Sequence, residues 1–219
     1  MKSFHKVITD TIGVTAALAL SVSTTQAQNL LTDPSFESGA FGQFNPIPLP
    51  GGAGRGWASF GGTITTDAAH TGIYSAQIAD NAFAPQGVYQ VLFASPGETF
   101  DLNAWYMSPN PSVAGFAIPA LVQISFLDDT GTGIAGAAFG NFQPLGAANT
   151  WVQSPDVIAT APAGTAYVGV YLIMLDNNIN GLKFYYDDAS LTQVVPEPAG
   201  LALLAFGVFG IALLRRHRG

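Results

Sequence analysis

The stretch Thr99 to Met107, TFDLNAWYM, gives the clearest indication of the fold. Every second side chain in it is apolar: Phe100, Leu102, Ala104 and Tyr106. The residues between them are polar, apart from one tryptophan. Because successive side chains of a β-strand point to opposite faces, this alternation predicts a strand with one face in a core and a mixed polar and aromatic second face.

Other short runs rich in Val, Ile, Phe and Tyr follow the same rule: 73–79, 88–93, 120–127, 151–159, 166–175 and 182–191. Turn-forming clusters of Pro, Gly and Asp separate them, and no run has the pattern of a long amphipathic helix. The sequence therefore predicts an all-β fold, a single jelly-roll or β-sandwich domain over residues 28–194. Residues 41–60 are predicted to form a long irregular loop.

The composition of this domain excludes several classes of function. It carries two cationic residues, Arg55 and Lys183, and twelve carboxylates, which gives a formal charge of −10. Such a surface repels nucleic acid, so we predict no nucleic-acid partner. The chain has no cysteine, which excludes disulfides and thiol chemistry.

The C-terminus has a pattern of its own. Pro196 and Pro198, on either side of Glu197, exclude regular structure, because proline has no N–H donor and restricts the residue before it. Residues 199–214 carry no charge. As a helix they would be about 24 Å long, somewhat short of a hydrocarbon core of about 30 Å. Three arginines follow: Arg215, Arg216 and Arg218. They favour a cytoplasmic C-terminus with the domain outside.

This order of a Pro-Glu-Pro motif, an apolar helix and an arginine cluster resembles the PEP-CTERM sorting signal of Gram-negative bacteria. The resemblance covers residues 195–219. It implies recognition by an exosortase that removes the tail, after transient anchoring in the inner membrane, as the protein reaches the cell surface or extracellular matrix.

The N-terminus also predicts export. Lys2, His5 and Lys6 precede an apolar run over 12–22, and Ala27 ends a small-residue stretch. Residues 1–27 are thus predicted to be a secretory signal peptide that signal peptidase removes.

Several motifs of the domain carry a second resemblance. They are NLLTDPSFESG (29–39), Trp57, HTGIYS (70–75), PGETF (96–100), Trp151, APAGT (161–165) and YYDDASL (185–191). Together they resemble the galactose-binding-like jelly rolls that include carbohydrate-binding modules of the family 4/9/22 type.

The resemblance implies one structural Ca²⁺ between the first and last strands. Glu37 and Asp187 or Asp188 match the ligand positions, with backbone oxygens near 33 and 70–72. In the alternative, these acidic residues are exposed and separate.

Strand alternation also suggests a sugar site. Asn103, Trp105, Gln123 and Tyr171 lie on the second faces of their strands. If those faces share one sheet, they form an aromatic platform with hydrogen-bonding groups. The alternative is that the aromatic residues, with Trp57 and Trp151, serve packing.

Catalysis has little basis in the sequence. His70 is the single histidine of the domain. The doublet Asp187–Asp188 is predicted to point to opposite faces of its strand, so it makes no facing acid and nucleophile.

We predict a non-enzymatic surface or matrix protein associated with exopolysaccharide or biofilm. The alternatives are a lectin-like carbohydrate-binding protein and, third, a glycoside-active enzyme whose carboxylates converge from different strands.

Overall fold

The computed structural model of the 219-residue chain describes residues 27–42, 56–79, 85–109, 120–142, 147–175 and 182–194. The predicted signal peptide up to residue 26 and the predicted tail from 195 onward lie outside these ranges, as do 43–55 of the predicted loop. Within the described ranges, no helix has the length and apolar character needed to cross a bilayer.

The described residues form strands joined by turns and bends. The strands are β1 (Ala58–Phe60), β2 (Gly62–Thr65), β3 (Ser75–Ala79), β4 (Gln86–Phe93), β5 (Thr99–Met107), β6 (Ala120–Leu127), β7 (Gly133–Phe142), β8 (Val152–Gln153), β9 (Val157–Thr160), β10 (Tyr167–Met174) and β11 (Lys183–Gln193). The predicted all-β class is confirmed. β1 lies within the stretch predicted as a loop.

Two antiparallel sheets make up the sandwich. The five-stranded sheet has the order β1-β4-β10-β6-β7, and the six-stranded sheet has the order β2-β3-β11-β5-β8, with β9 also paired to β5. The alternation of TFDLNAWYM is observed as predicted: Phe100, Leu102, Ala104 and Tyr106 are buried, and the residues between them are partly exposed. The inner faces of both sheets supply one continuous apolar core.

The start of the domain is tied to both sheets by the side-chain amides of Asn29 and Gln90. The Asn29 side chain donates to the carbonyl of Ala189 and accepts from the N–H of Leu191, at 2.9 and 3.1 Å. Gln90, fully buried on β4, exchanges two hydrogen bonds with the backbone of Thr32. The first segment of the domain therefore lies beside its last strand.

A β-bulge interrupts β11. The register with β5 shifts between Asp187 and Ser190, and Asp188 has a φ of +43°. A bulge inserts an unpaired residue, so strict alternation fails locally. The prediction that Asp187 and Asp188 point to opposite faces is therefore wrong, because both carboxylates reach the same loop, residues 70–71.

Candidate ligand-binding face

Three aromatic rings lie side by side on the outer face of the five-stranded sheet, and we call them the aromatic row: Phe60, Tyr89 and Tyr171. The rings of Tyr89 and Tyr171 are stacked, with centroids 5.6 Å apart and planes 11° from parallel. The ring of Phe60 follows at 5.9 Å from Tyr89. Neighbouring strands set this spacing, since they lie about 4.8 Å apart. The row crosses β1, β4 and β10.

Glycines in the sheet allow these rings to lie close to the backbone. A Cβ at Gly169 would come within 2.6 Å of the Tyr171 ring, and a Cβ at Gly87 within 2.7 Å of the Phe60 ring. Both distances are shorter than real side chains permit. The rings of Tyr171 and Phe60 therefore cover the outer surface of the sheet at these two glycines.

A polar group extends the row on the next strand. Gln123 of β6 lies opposite Tyr171 in the strand register, and its Nε2 donates to the hydroxyl of Ser125 at 2.7 Å. Gln123 is partly exposed, as are Tyr89 and Tyr171, while Phe60 is 36% exposed. The face thus combines apolar rings with an amide and a hydroxyl, the groups that bind the faces and hydroxyls of a small polar ligand.

The two tyrosines of the row stay neutral at ordinary pH. Burial raises the pKa of the Tyr89 phenol. Burial also raises the pKa of Tyr171, and the nearby Tyr89 adds to that rise. Neutral phenols both donate and accept hydrogen bonds, which suits an uncharged ligand rich in hydroxyls.

The structure divides the four residues predicted to form one platform. Gln123 and Tyr171 lie on the five-stranded sheet, whereas Asn103 and Trp105 lie on β5 of the six-stranded sheet. The condition for that platform, that the four residues share one sheet, is therefore not met. Strand pairing is a long-range property, and alternation along single strands does not show which strands are neighbours.

Trp105 and Asn103 contact residues of their own sheet and of the loops beside it. The Trp105 ring stacks on His70, with centroids 4.0 Å apart and planes 14° from parallel. Asn103 donates to the carboxylate of Asp156 at 3.0 Å and accepts from Gln153 at 3.3 Å. These contacts agree better with the alternative, in which the aromatic residues serve packing, than with a sugar platform.

The other two tryptophans also make packing contacts. Trp57 is 2% exposed, its ring lies 4.9 Å from that of Phe36, and its Nε1 donates to the carbonyl of Asp33 at 2.9 Å. Trp151, partly exposed, lies 5.6 Å from the His70 ring.

Sequence reasoning missed Phe60 and Tyr89 as partners of Tyr171. Tyr89 lies in a strand that the sequence predicts, and its position between Val88 and Gln90 already places it on the opposite face from Val88. Phe60 had no comparable signal, because β1 has three residues and follows a glycine-rich stretch.

Acidic residues hold a loop against the six-stranded sheet. Asp187 Oδ2 accepts from the N–H groups of His70 and Thr71, at 2.7 and 3.1 Å. Glu37 Oε1 accepts from the N–H groups of Ile73 and Tyr74, both at 2.9 Å. The two carboxylates thus fix opposite ends of loop 70–74. Asp188 adds a 2.6 Å contact with His70 Nδ1 and accepts from the Thr71 hydroxyl at 2.7 Å.

The donor set contains carboxylate oxygens, the ligand type that Ca²⁺ prefers. Asp187 is fully buried. Burial raises its pKa to about 6, and the charge of Asp188 adds to the rise, against hydrogen bonds from backbone N–H groups. A nearby cation would favour the ionised form of the Asp187 carboxylate and so oppose the effect of burial. Across the described ranges no group of three or more His, Asp or Glu side chains is arranged so that it could hold a metal ion, so loop carbonyls would have to complete the shell of a Ca²⁺.

The C-terminal pattern matches a known family model. The model describes a PEP-CTERM protein-sorting motif and covers residues 194–216. The chain carries a PEP-CTERM sorting motif. The match begins one residue after β11 ends, so the PEP-CTERM tail follows the sandwich directly. The motif indicates an exported protein that is sorted through its C-terminus.

Solved structures with the same architecture include parts of larger proteins. The enzymatically active domain of bacteriophage CBA120 tailspike protein 4 is 16% identical, with a TM-score of 0.54 over 76% of this chain and 21% of that chain. Arabinose-bound MgGH51 α-L-arabinofuranosidase is 13% identical, with a TM-score of 0.51 over 75% and 26%.

The N-terminal CBM22-1-CBM22-2 tandem domain of Paenibacillus barcinonensis Xyn10C is 19% identical, with a TM-score of 0.50 over 81% of this chain and 49% of that one. This chain thus spans about a fifth to a half of the solved chains named here. These likenesses show the fold alone. No curated protein matches the sequence.

Proposed function

We propose that the protein is an exported, non-enzymatic carbohydrate-binding protein of the cell surface or extracellular matrix. It holds extracellular polysaccharide on the outer face of its five-stranded sheet. The observation that carries this proposal is the aromatic row, Phe60, Tyr89 and Tyr171, in which the Phe60 ring lies against Gly87 and the Tyr171 ring against Gly169. Exposed aromatic side chains pack against the apolar faces of sugar rings, and adjacent amides and hydroxyls bind the sugar hydroxyls.

Charge favours a neutral polysaccharide. Within the described ranges the single Lys or Arg is Lys183, which lies on β11 of the other sheet. The acidic domain would repel a chain of uronates or sulfated sugars. An uncharged glycan avoids this repulsion and also suits the neutral phenols of Tyr89 and Tyr171.

The position of the carboxylates supports a non-enzymatic role. Asp101 and Asp156 come from different parts of the chain and interact: burial raises the pKa of Asp101, and the charge of Asp156 adds to it. Asp101 lies on β5 of the six-stranded sheet, away from the aromatic row. An acid pair and a sugar platform on different sheets do not form one glycosidase site.

The sorting steps complete the proposal. Signal peptidase removes residues 1–27, the apolar run 199–214 holds the domain outside the inner membrane, and an exosortase cuts the tail. A structural Ca²⁺ held by Glu37, Asp187 and carbonyls of loop 70–74, with Asp188 as the alternative acidic ligand, is part of the same proposal. The PEP-CTERM motif and the loop contacts described above support these steps.

A glycan array tests the binding function. The wild-type domain is expected to bind neutral polysaccharides in preference to uronate-containing ones. Tyr171→Ala should weaken binding about tenfold or more, because truncating an aromatic anchor commonly costs over about 1.4 kcal/mol. Phe142→Ala is the control, since Phe142 lies on an edge strand of the same sheet and is 64% exposed. Equal losses from both variants, or no glycan bound by the wild type, would contradict the proposal.

A further inference from the structure

One end of the sandwich lies next to the start of the PEP-CTERM tail, and we call it the tail-side end. It consists of the turns 94–98, 128–132 and 161–166. The N–H of Val194 donates to the carbonyl of Thr99 at 2.8 Å, so the chain leaves the domain at the first residue of β5. Hydrogen bonds from Gly97 to Ala161 and from Ala166 to Leu127 tie the three turns together.

The short connection keeps this end near any membrane that holds the tail. Residues 195–198 separate Val194 from the apolar run that begins at residue 199, and the five steps from 194 to 199 reach at most about 18 Å when fully extended. β5 runs from Thr99 to Met107, about 26 Å at 3.3 Å per residue, so the opposite end of the sandwich lies that much farther along the strands.

An aromatic patch at the tail-side end consists of exposed Phe93 and buried Tyr167. Phe93, the last residue of β4, is 66% exposed, and its ring lies 5.5 Å from that of Tyr167. Tyr167 lies opposite Leu127 in the register and packs with it and Val91 in a small cluster separate from the main core. The chain passes from Phe93 to Thr99, the partner of Val194, through the single turn 94–98.

We propose that Phe93, supported by Tyr167, inserts into the lipid interface and seats the sandwich on the membrane until the tail is removed. This inference rests on the proposed function, in which the tail is anchored in the bilayer. Aromatic side chains next to a membrane anchor favour the interface between headgroups and acyl chains. The turns of this end carry Glu98, Asp128 and Asp129 and no Lys or Arg, so the contact is apolar rather than an attraction to anionic lipid.

The aromatic row stays accessible in this arrangement. Phe93 and Tyr167 lie at one end of the outer face, whereas Tyr89 and Tyr171 pair four residues farther along β4 and β10. When the tail-side end contacts the membrane, Tyr89 and Tyr171 lie farther from the bilayer than Phe93 does. Membrane contact and sugar binding therefore use different parts of one sheet.

Single-cysteine labelling of the full chain tests the inference. The chain contains no cysteine, so Ala163→Cys at the tail-side end and Ala148→Cys at the opposite end each carry one environment-sensitive fluorophore. Both positions are exposed. In phosphatidylcholine vesicles with a quencher on the lipid headgroup, we expect quenching at 163 and little at 148. Phe93→Ser should reduce quenching at 163 to the level that the tail alone maintains, whereas the control Phe142→Ser, at a residue of similar exposure near the other end, should leave the quenching unchanged.

Four outcomes would overturn the inference. Equal quenching at 163 and 148, or an unchanged difference in Phe93→Ser, would overturn it while leaving the anchored tail and sugar binding in place. A Phe93→Ser variant that changes only self-association would assign the patch to a second copy instead. A chain that fails to float with the vesicles would refute the anchored tail itself, and the inference with it.

Discussion

At the scale of single residues, Gly169 decides how the Tyr171 ring lies. The added Cβ of Gly169→Ala would meet the far side of the Tyr171 ring, which can rotate away. We therefore expect sugar affinity to fall several-fold while the free energy of unfolding changes by no more than about 1 kcal/mol. Titration calorimetry and denaturant unfolding measure the two quantities.

The matched control for this prediction is Gly133→Ala on β7 of the same sheet. A Cβ at Gly133 meets no atom within 4 Å. The sugar affinity of the Gly133→Ala variant should equal that of the wild type. If Gly169→Ala also leaves the affinity unchanged, the orientation of Tyr171 does not matter for binding.

His70 gives a contrasting prediction, because its contacts stabilise loop 70–74 rather than the aromatic row. His70→Ala removes the contact with Asp188 and the stacking on Trp105. We expect a loss of about 1–3 kcal/mol in stability with no change in sugar affinity. Thermal unfolding and an affinity gel check this, and a loss of sugar binding at unchanged stability would show that the site lies on the six-stranded sheet.

Sequence reasoning located some residues of the face and missed others for a definite reason. Alternation placed Tyr171 and Gln123 on the second faces of their strands, as observed. It failed at Asp188, where a bulge with positive φ turns the chain. A bulge leaves no mark in the pattern of apolar residues, so it could not be predicted from that pattern.

At the scale of elements, β11 is the strand on which the six-stranded sheet depends. It lies between β3 and β5, and Phe184, Tyr186 and Leu191 are buried in the core. A chain that ends at Val194 should unfold at the same temperature as the longer one. A chain that ends at Tyr186 should be unfolded, because it loses the Asp187 contacts and Leu191.

Circular dichroism of the two truncated chains measures this difference. The same argument places the mature C-terminus at or after Val194, since pairing with β5 protects the residues before it. Mass spectrometry of the mature protein would contradict this if the terminus lay within β11.

The strands that the sequence predicted are those with apolar side chains on at least one face. β7 was not predicted: its sequence, GIAGAAFGNF, has small residues at most positions and is largely exposed at the sheet edge. The run 151–159 was predicted as one strand, whereas the structure divides it into β8 and β9 around Pro155. Edge strands and proline breaks carry weak hydrophobic signals.

At the scale of the whole molecule, the proposed Ca²⁺ would link the start of the domain, loop 70–74 and the last strand. Calcium at a hundred times its dissociation constant would stabilise the fold by about 2.7 kcal/mol. We expect EDTA to lower the melting temperature and added Ca²⁺ to restore it. Glu37→Gln should make the change in melting temperature on adding EDTA or Ca²⁺ smaller. An unchanged melting temperature in EDTA would exclude a stabilising calcium site.

The all-β class and the sorting motif could be predicted from sequence, whereas the assignment of strands to sheets could not. Asn103, Trp105, Gln123 and Tyr171 satisfy the same local rule. Their separation onto two sheets depends on pairings such as β10 with β4 and β6, between segments far apart in the chain. Local alternation fixes which way a side chain points and says nothing about its cross-strand neighbours.

Affinity electrophoresis in gels that contain neutral polysaccharide tests the central claim most directly. It compares the wild type with Tyr171→Ala on the five-stranded sheet and Trp105→Ala on the six-stranded sheet, each first shown to be folded. The proposed function predicts that the wild type and Trp105→Ala are retarded and that Tyr171→Ala migrates as in a gel without polysaccharide. Retention by Tyr171→Ala with loss in Trp105→Ala, or no retardation of the wild type in any neutral polysaccharide, would contradict it.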